Sequence, residues 1–206
     1  FLIARGYNRR LEIMVSARVD TTHAPTLRRM REAGIRWICF GVESGNQQIL
    51  DRMGKQIKIE QIRRAYAMAR AAGLFVAGNF MIGHLGETWD TAMDTINLAY
   101  ELDQDYASFA IAIPFPGTGL YDYCLANGIK LPSWGGFGSV NSPPIPLNPV
   151  LGVEDLMKLR AIAVQRFFAR PPYFFRLLRR FRVVPVVADF ARMFLAFMQE
   201  RRARRF

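Results

Sequence analysis

One carboxylate stands out as a candidate for chemistry because of where it falls in the sequence. Glu43 follows the apolar run at residues 37–40 and is flanked by Gly41 and Gly45. A short apolar run predicts a strand buried on both faces, and sites in parallel α/β folds form where such strands end. A carboxylate there can accept hydrogen bonds from a diol or a cationic amine. Two structural roles compete: Glu43 could cap the following helix, or it could pair with a nearby Lys or Arg.

Elements on both sides of this residue must position it. Strands are predicted at residues 11–20, 35–42, 74–82 and 106–113. Helices are predicted at residues 24–33, 46–53, 59–72, 89–102, 119–128, 153–169 and 186–200. Strands that alternate with helices predict an α/β fold, with a parallel sheet or an open barrel and right-handed crossovers.

The sequence divides into three predicted regions. Residues 1–130 contain the alternating strands and helices, residues 131–152 are a loop rich in Gly and Pro, and residues 153–206 are a basic helical extension. Residues 151–206 hold 13 Lys and Arg against 4 Asp and Glu, whereas residues 1–150 hold 15 against 13. The net charge of +11 therefore belongs mostly to the extension and says little about the main region.

Length and cysteine content indicate how large a fold the chain can form and in which redox setting it lies. With 206 residues, 51% of them hydrophobic, the chain can bury one sizeable core. It is shorter than a complete (β/α)₈ barrel of about 250 residues. It begins at Phe1 without a recognisable signal peptide, and we expect it to be part of a longer protein. Cys39 and Cys124 form no disulfide framework and lack metal-ligand spacing, which predicts a reducing, cytoplasmic setting.

The strand ends carry short motifs in a fixed order. These are S-A-R-V-D at 16–20, F-G-V-E-S-G at 40–45, G-N-F-M-I-G-H-L-G-E-T at 78–88 and P-F-P-G-T at 114–118, joined by R-M-R-E-A-G-I and I-L-D-R-M-G-K. Over about residues 11–120 this set resembles the radical S-adenosylmethionine (SAM) superfamily. The branch it resembles most carries an N-terminal cobalamin-binding domain and includes anaerobic Mg-protoporphyrin ester cyclase-like and methyltransferase-like proteins.

The resemblance implies a partial (β/α)₆ barrel of TIM type, in which the predicted strands correspond to the third to sixth strands. In that family a 4Fe–4S cluster, held by Cys-x-x-x-Cys-x-x-Cys after the first strand, binds SAM at its open iron. An electron then cleaves SAM to methionine and a 5′-deoxyadenosyl radical, which takes hydrogen from a substrate. This sequence contains no such motif. We therefore expect the first two strands, the cluster loop and the cobalamin domain to precede it, and the chain alone to be inactive.

The function that the resemblance implies is methyl transfer to, or oxidative cyclisation of, a small-molecule substrate. The implied cofactors are SAM, the 4Fe–4S cluster and cobalamin. The implied partners are the N-terminal part of the same chain and an electron donor such as flavodoxin or ferredoxin. The identity of the substrate is not implied, because substrate contacts come largely from variable loops.

Eight residues match positions that surround SAM in this family: Arg18, Glu43, Lys55, Asn79, Ile82, Gly83, Ile113 and Pro114. Glu43 and Asn79 are implied to lie near the ribose, and Lys55 to meet the methionine carboxylate through a charge-assisted bond. The alternatives are a solvated Lys55 at a helix end and an Asn79 that is satisfied by the backbone.

The adenine is implied to lie between two apolar stretches of the chain. Ile82 and Gly83 would cover one side of the ring, and Ile113 and Pro114 the other. Because Gly has no Cβ, Gly83 would allow the backbone to approach the ring closely. Arg18 ends the first predicted strand, where relatives carry a polar residue that faces SAM.

The loop after the third predicted strand departs from the family pattern. Leu85 stands where the family often has Pro in the motif Gly-x-Pro-Gly-Glu-Thr. Glu87 and Thr88 are expected to cap the next helix. His84 lies at the mouth of the strand, where it either contacts substrate or is a surface residue.

The basic extension suggests a second class of function. At residues 174–182, apolar side chains interleave with Arg at helical spacing, which suits an anionic membrane surface or nucleic acid. A helix docked on the barrel through its aromatic residues explains the same pattern. The apolar run 183–198 contains Asp189 and Arg192, and is too short and too charged to span a bilayer. A third hypothesis is an ordinary TIM-type enzyme without a cluster.

Overall fold

The computed structural model describes residues 1–131, 144–147, 150–171 and 173. By its internal contacts the chain divides into two compact units, Phe1–Phe167 and Phe168–Phe206. Most of the predicted Gly- and Pro-rich loop lies outside the described residues, as do the Arg-rich segment 174–182 and the helix predicted at 186–200. Among the helices that the structure describes, none combines the length and hydropathy of a membrane span.

The first unit is built on one sheet of parallel strands that lie side by side in chain order. The strands are β1 (Ile13–Ala17), β2 (Ile35–Glu43), β3 (Phe75–Ile82) and β4 (Tyr106–Ile111). The helices of the described residues are α1 (Ala24–Glu32), α2 (Gln47–Arg52), α3 (Ile59–Ala71), α4 (Trp89–Glu101), α5 (Gly119–Ala126) and α6 (Val153–Phe168). The predicted α/β fold with parallel strands is confirmed, and the sheet is a partial one.

The sheet has one face covered by helices, while among the described residues the other face is open except at its end, where Met81 packs against the buried Ala112, Cys124 and Leu147. On β2, Ile38 and Phe40 are buried, whereas Cys39 and Gly41, which alternate with them, are only half-buried. The register carries this alternation across the sheet, since Gly41 pairs with the exposed Asn79 of β3. Side chains of one parity therefore form the core under the helices, and those of the other parity face the open side.

Tyr66 fixes helix α3 on the covered face. Its ring packs against Phe40 with centroids 5.2 Å apart, and its hydroxyl donates to Gln104 Oε1 over 2.9 Å. Gly78 lies directly beneath, where a Cβ would overlap both the hydroxyl and the Gln104 oxygen. The buried hydroxyl is thus satisfied, and the arrangement requires Gly at residue 78.

Helix α6 packs on the same covered face. Phe167 meets Phe109 of β4 with ring centroids 6.2 Å apart. Leu156 lies so close to Gly83 that a Cβ on the glycine would stand 2.7 Å from Leu156 Cδ2. Up to Phe167 this helix belongs to the first unit. The domain boundaries predicted at residues 130 and 152 stay predictions.

β1 and β4 are shorter than predicted for local reasons, and β3 begins one residue later than predicted. β1 is followed by a 3₁₀ turn at Val19–Thr21, which begins inside the predicted strand, and the Thr22 hydroxyl donates to the Arg18 carbonyl over 2.9 Å. Beyond β4, the Ala112 N–H donates to the Ile82 carbonyl over 2.8 Å. The next donor in that register would belong to Pro114, which has no N–H, so the ladder stops.

Candidate functional site

Gly41 and Glu43 form a platform for charged groups at the carboxyl end of β2. Glu43 is the last residue of the strand, follows a shift in register with β3, and has a φ of 68°, which non-Gly residues rarely adopt. Its carboxylate lies over Gly41, where a Cβ would stand 2.7 Å from Glu43 Oε1 and 3.2 Å from Lys55 Nζ. Bare backbone at residue 41 therefore leaves the space that both charges occupy.

Glu43 and Lys55 form an ion pair on this platform. Lys55 Nζ lies 2.9 Å from Glu43 Oε1, and the two side chains are only 20% and 23% exposed, respectively. Two structural roles were considered for Glu43, helix capping and pairing with a Lys or Arg. The structure shows pairing with a lysine. The cap of α2 is Asn46, whose Oδ1 accepts from the Gln48 N–H over 3.0 Å. Because both charges retain access to solvent, a ligand that presents both signs of charge can exchange partners with the pair.

Arg18 supports the segment that carries Lys55. Its guanidinium donates from Nε and Nη2 to the Asp20 carboxylate, over 3.0 and 2.8 Å, respectively. Nη2 also donates to the Lys55 carbonyl over 3.0 Å. The hydrogen bonds with Arg18 hold the pKa of the Asp20 carboxyl below its usual value. Arg18 is thus bonded to two protein groups at the carboxyl end of the sheet. We call this end, which carries Arg18, Glu43 and Lys55, the rim. No role was predicted for Asp20, although an Asp two residues after an Arg is a sequence signal that could have indicated this pair.

Asn79 contributes an amide to the open face of the sheet. It pairs in register with Gly41 on one side and Ser108 on the other, and its side chain is exposed. It also hydrogen-bonds the Cys39 thiol, whose pKa is nevertheless raised, mainly by burial. The thiol is therefore protonated at neutral pH, and the polar side chain available to a ligand here is the amide.

Of the predicted adenine contacts, Ile82 lies on the face of the sheet opposite to these polar groups, and the roles of Gly83, Ile113 and Pro114 stay predictions. Ile82 is fully buried on the helix-covered face, opposite in parity to Asn79, and Met81 takes its place on the open face. Gly83 is buried, and the close approach it permits is to α6. Ile113 and Pro114, which follow β4, are half-buried and buried, respectively. The alternation of the strand explains why Ile82 turns away.

Glu87 has a different place from the one predicted. Thr88 is the cap of α4, since its Oγ1 accepts from the Thr91 N–H over 3.3 Å. Glu87 is fully buried and accepts a hydrogen bond from the Gly83 N–H, while its Oε1 has no partner among the described residues. Burial raises the pKa of Glu87 to about 7, although hydrogen bonds from the backbone of Gly83 and His84 oppose this. The prediction that Glu87 caps the helix is therefore wrong.

These residues fit SAM better than they fit an iron–sulfur cluster. Lys55, Glu43 and Asn79 offer a cation, a carboxylate and an amide, which match the carboxylate, ammonium and ribose diol of SAM. Within the described ranges no group of His, Cys, Asp or Glu could hold a metal ion. The full sequence has two cysteines, Cys39 on β2 and Cys124 on α5, so it lacks the three thiolates that a SAM-binding cluster needs.

Comparison with known proteins places this geometry in a family. The model of the radical SAM superfamily matches residues 2–99. The predicted resemblance to this superfamily is confirmed over these residues. An uncharacterized methyltransferase of Pyrococcus horikoshii is 36% identical over 157 residues, which cover 76% of this chain and 34% of that protein. The anaerobic magnesium-protoporphyrin IX monomethyl ester cyclase of Cereibacter sphaeroides is 28% identical over 122 residues, which cover 58% of this chain and 20% of the cyclase.

Solved structures support the same fold. The radical SAM methyltransferase TsrM of Kitasatospora setae, solved with cobalamin and a [4Fe-4S] cluster, superposes with a TM-score of 0.53 at 17% identity, over 64% of this chain and 26% of TsrM. Coproporphyrinogen III oxidase of Escherichia coli, a radical SAM enzyme, gives 0.53 at 17% identity, over 75% and 32% of the two chains. The resemblance to a partial radical SAM barrel is thereby confirmed. The chain spans about a third or less of the length of these proteins and of the curated relatives.

Proposed function

We propose that this chain supplies the SAM-binding rim of a radical SAM enzyme that modifies a small-molecule substrate. The observation that carries the proposal is the Glu43–Lys55 ion pair beside Asn79, at the carboxyl ends of two neighbouring strands on the open face. SAM carries a carboxylate, an ammonium group and a diol. These groups complement the three side chains.

Binding proceeds by exchange of partners. Lys55 turns from Glu43 to the methionine carboxylate, and Glu43 accepts hydrogen bonds from the ribose diol or the ammonium group. Neither charge is left unpaired by this exchange. An unpaired charge in the partly buried site would oppose binding. Asn79 adds a neutral donor and acceptor beside the ribose. Arg18 acts as a positioning residue, because it holds Asp20 and the backbone of Lys55.

The groups that cleave SAM lie outside this sequence. We place the cluster ligands and the cobalamin domain in the remainder of a longer protein, since the sequence has no cysteine motif for the cluster. The electron comes from a donor such as flavodoxin or ferredoxin, in a cytoplasmic setting. Methyl transfer is favoured over cyclisation because the methyltransferase of Pyrococcus horikoshii shares 36% identity, against 28% for the cyclase. On this account the chain alone binds SAM and does not cleave it.

The reaction products of the full-length protein test this function. The anaerobically reconstituted protein is incubated with SAM and a reductant, and the products are separated by mass spectrometry. We expect 5′-deoxyadenosine, or S-adenosylhomocysteine if SAM donates its methyl group. A full-length protein that binds a 4Fe–4S cluster but yields neither product would reject the proposal. The Glu43→Gln variant should lower product formation, whereas Glu12→Gln, which changes an exposed carboxylate, should not.

A further inference from the structure

A cleft of about 500 Å³ opens beside the rim. Its lining consists of Arg52, His84, Leu85, Gly86, Glu87, Tyr123 and Val150. Most of these residues belong to the end of α2, the loop after β3, and α5, each of which follows the carboxyl end of a strand. The cleft therefore opens at the same end of the sheet as the Glu43–Lys55 pair, the end at which α/β enzymes bind their ligands.

Arg52 is the cation of this cleft. Its side chain lies directly against Gly86, where a Cβ would overlap the guanidinium and stand 3.3 Å from Arg52 Cδ. Gly86 has a φ of 73°, so the loop conformation and the close contact both favour glycine. The described residues provide no hydrogen bond or ion pair to the guanidinium. A guanidinium held in this way presents paired N–H groups that suit bidentate recognition of an oxyanion.

The other walls supply hydrogen bonding and apolar surface. His84 is half-buried, and burial lowers its pKa, so the imidazole is neutral near pH 7 and adds a hydrogen-bonding group without charge. Leu85, Val150 and the ring of Tyr123 form the apolar part of the lining. Glu87 is buried behind the loop, bound to the Gly83 N–H, and its raised pKa of about 7 limits its negative charge. The balance of charge in the cleft is positive.

We propose that this cleft binds an oxyanion group, a carboxylate or a phosphate, of an otherwise largely apolar substrate, with Arg52 as its cation and His84 as a hydrogen-bond partner. This assignment rests on the proposed function, because it treats the cleft as the substrate side of the SAM rim. It adds a substrate class and a residue, Arg52, that the family resemblance does not supply. Lys55 and Glu43 remain assigned to SAM.

Small aromatic probes test the cleft without SAM or turnover. Benzoate and phenyl phosphate are titrated into the full-length protein by ligand-observed NMR near pH 6, where Glu87 is mostly protonated, and benzamide serves as the uncharged probe. We expect saturable, roughly millimolar binding of at least one anion. The anion that binds more tightly shows whether the oxyanion group is a carboxylate or a phosphate, and benzamide should bind more weakly than that anion.

The variants decide whether Arg52 is responsible. Arg52→Gln should weaken binding of the anion by roughly tenfold to a hundredfold, the range for a hydrogen bond to a charged group. Arg28→Gln removes the same charge from an exposed site on α1 and should leave binding unchanged. Equal losses in both variants, equal binding of benzamide, or no saturable binding to the wild-type protein would overturn the proposal.

A parallel measurement of SAM affinity separates the two proposals. Arg52→Gln should bind SAM as the wild-type protein does. If it loses SAM affinity as well, the cleft belongs to the SAM site and the assignment to substrate is overturned. If the wild-type protein binds the anionic probes but not SAM, the SAM-binding role of the rim fails while the anion site in the cleft stands.

Discussion

At the scale of single residues, the site depends on charged groups that the sequence could only partly place. The match to family positions indicated Glu43 and Lys55, but not that they pair with each other over 2.9 Å. Arg18 faces the rim as expected, yet it is bound to Asp20 and to the Lys55 backbone. Pairings of this kind depend on where loops return in space, which the local sequence does not encode. The burial of Glu87 was missed for the same reason.

The first prediction concerns the pH dependence of stability that Glu87 produces. Burial raises its pKa in the folded state to about 7, from an ordinary value of 4.5. The folded state therefore binds more protons than the unfolded state between these values, and this contribution to stability is lost as pH rises through about 7. The full difference corresponds to about 3 kcal/mol. Glu87→Gln should remove the dependence and make the protein more stable at about pH 8 than the wild type.

Urea denaturation at about pH 5 and pH 8 measures this effect. The control is Glu12→Gln, which alters an exposed carboxylate and should keep the wild-type dependence. If wild type and Glu87→Gln lose the same free energy of unfolding between the two pH values, the buried carboxyl does not titrate as described.

At the scale of elements, the periodicity of the sequence predicted the helices and strands closely. Every strand and helix expected within residues 11–128 is present, because apolar residues recur at the spacing of the element that buries them. The face of the sheet on which each side chain lies was harder to predict. Ile82 was expected at the site, but it points into the core beside Phe80, and Met81 faces the open side. Near a strand end, an error of one residue reverses the face on which a side chain lies.

The second prediction tests the platform of β2. Gly41→Ala would place a Cβ 2.7 Å from Glu43 Oε1 and 3.2 Å from Lys55 Nζ, so the charged pair must move. We expect SAM affinity to fall about tenfold, while the free energy of unfolding changes by less than about 1.5 kcal/mol because the crowded atoms are side-chain ends. Gly119→Ala, where a Cβ meets open space, is the control. Wild-type SAM affinity in Gly41→Ala would show that the pair is not where SAM binds.

The third prediction tests how α3 is held on the sheet. In Gly78→Ala, the new methyl group overlaps the Tyr66 hydroxyl and the Gln104 oxygen, both fully buried or nearly so. Overpacking and a broken buried hydrogen bond should cost about 1–3 kcal/mol each. Chemical denaturation should show this loss of stability, with Gly119→Ala again as the reference. A variant as stable as the wild type would contradict the packing described for Tyr66.

At the scale of the whole molecule, the described sheet leaves surface that a complete barrel would cover. β1 is one of the two edge strands of this sheet, and Met14 on it is 68% exposed. On the open face, Trp37 and Phe75 stack with ring centroids 4.8 Å apart. A flat edge with unpaired N–H and C=O groups favours association with other chains. The four-stranded sheet accompanies a chain that spans about a third or less of the length of its curated relatives.

The fourth prediction follows from this edge. The 206-residue chain alone should self-associate, and sedimentation velocity over a concentration series should show species larger than a monomer. Met14→Lys, which places a charge on the edge strand, should reduce the association. The control is Leu125→Lys on α5, where the replaced side chain is 60% exposed. A wild-type chain that stays monomeric at high concentration would contradict the prediction.

Lys55 is the residue through which the rim is proposed to bind SAM, and the SAM affinity of full-length Lys55 variants tests this role. Equilibrium dialysis of reconstituted Lys55→Ala should give a dissociation constant raised roughly tenfold to a hundredfold, with the absorbance of the cluster intact. Lys55→Arg should retain part of the affinity, because it keeps the charge while changing the geometry. Lys58→Ala removes a 66% exposed lysine three residues away and should change little. A dissociation constant for Lys55→Ala equal to that of the wild type would show that Lys55 does not bind the SAM carboxylate.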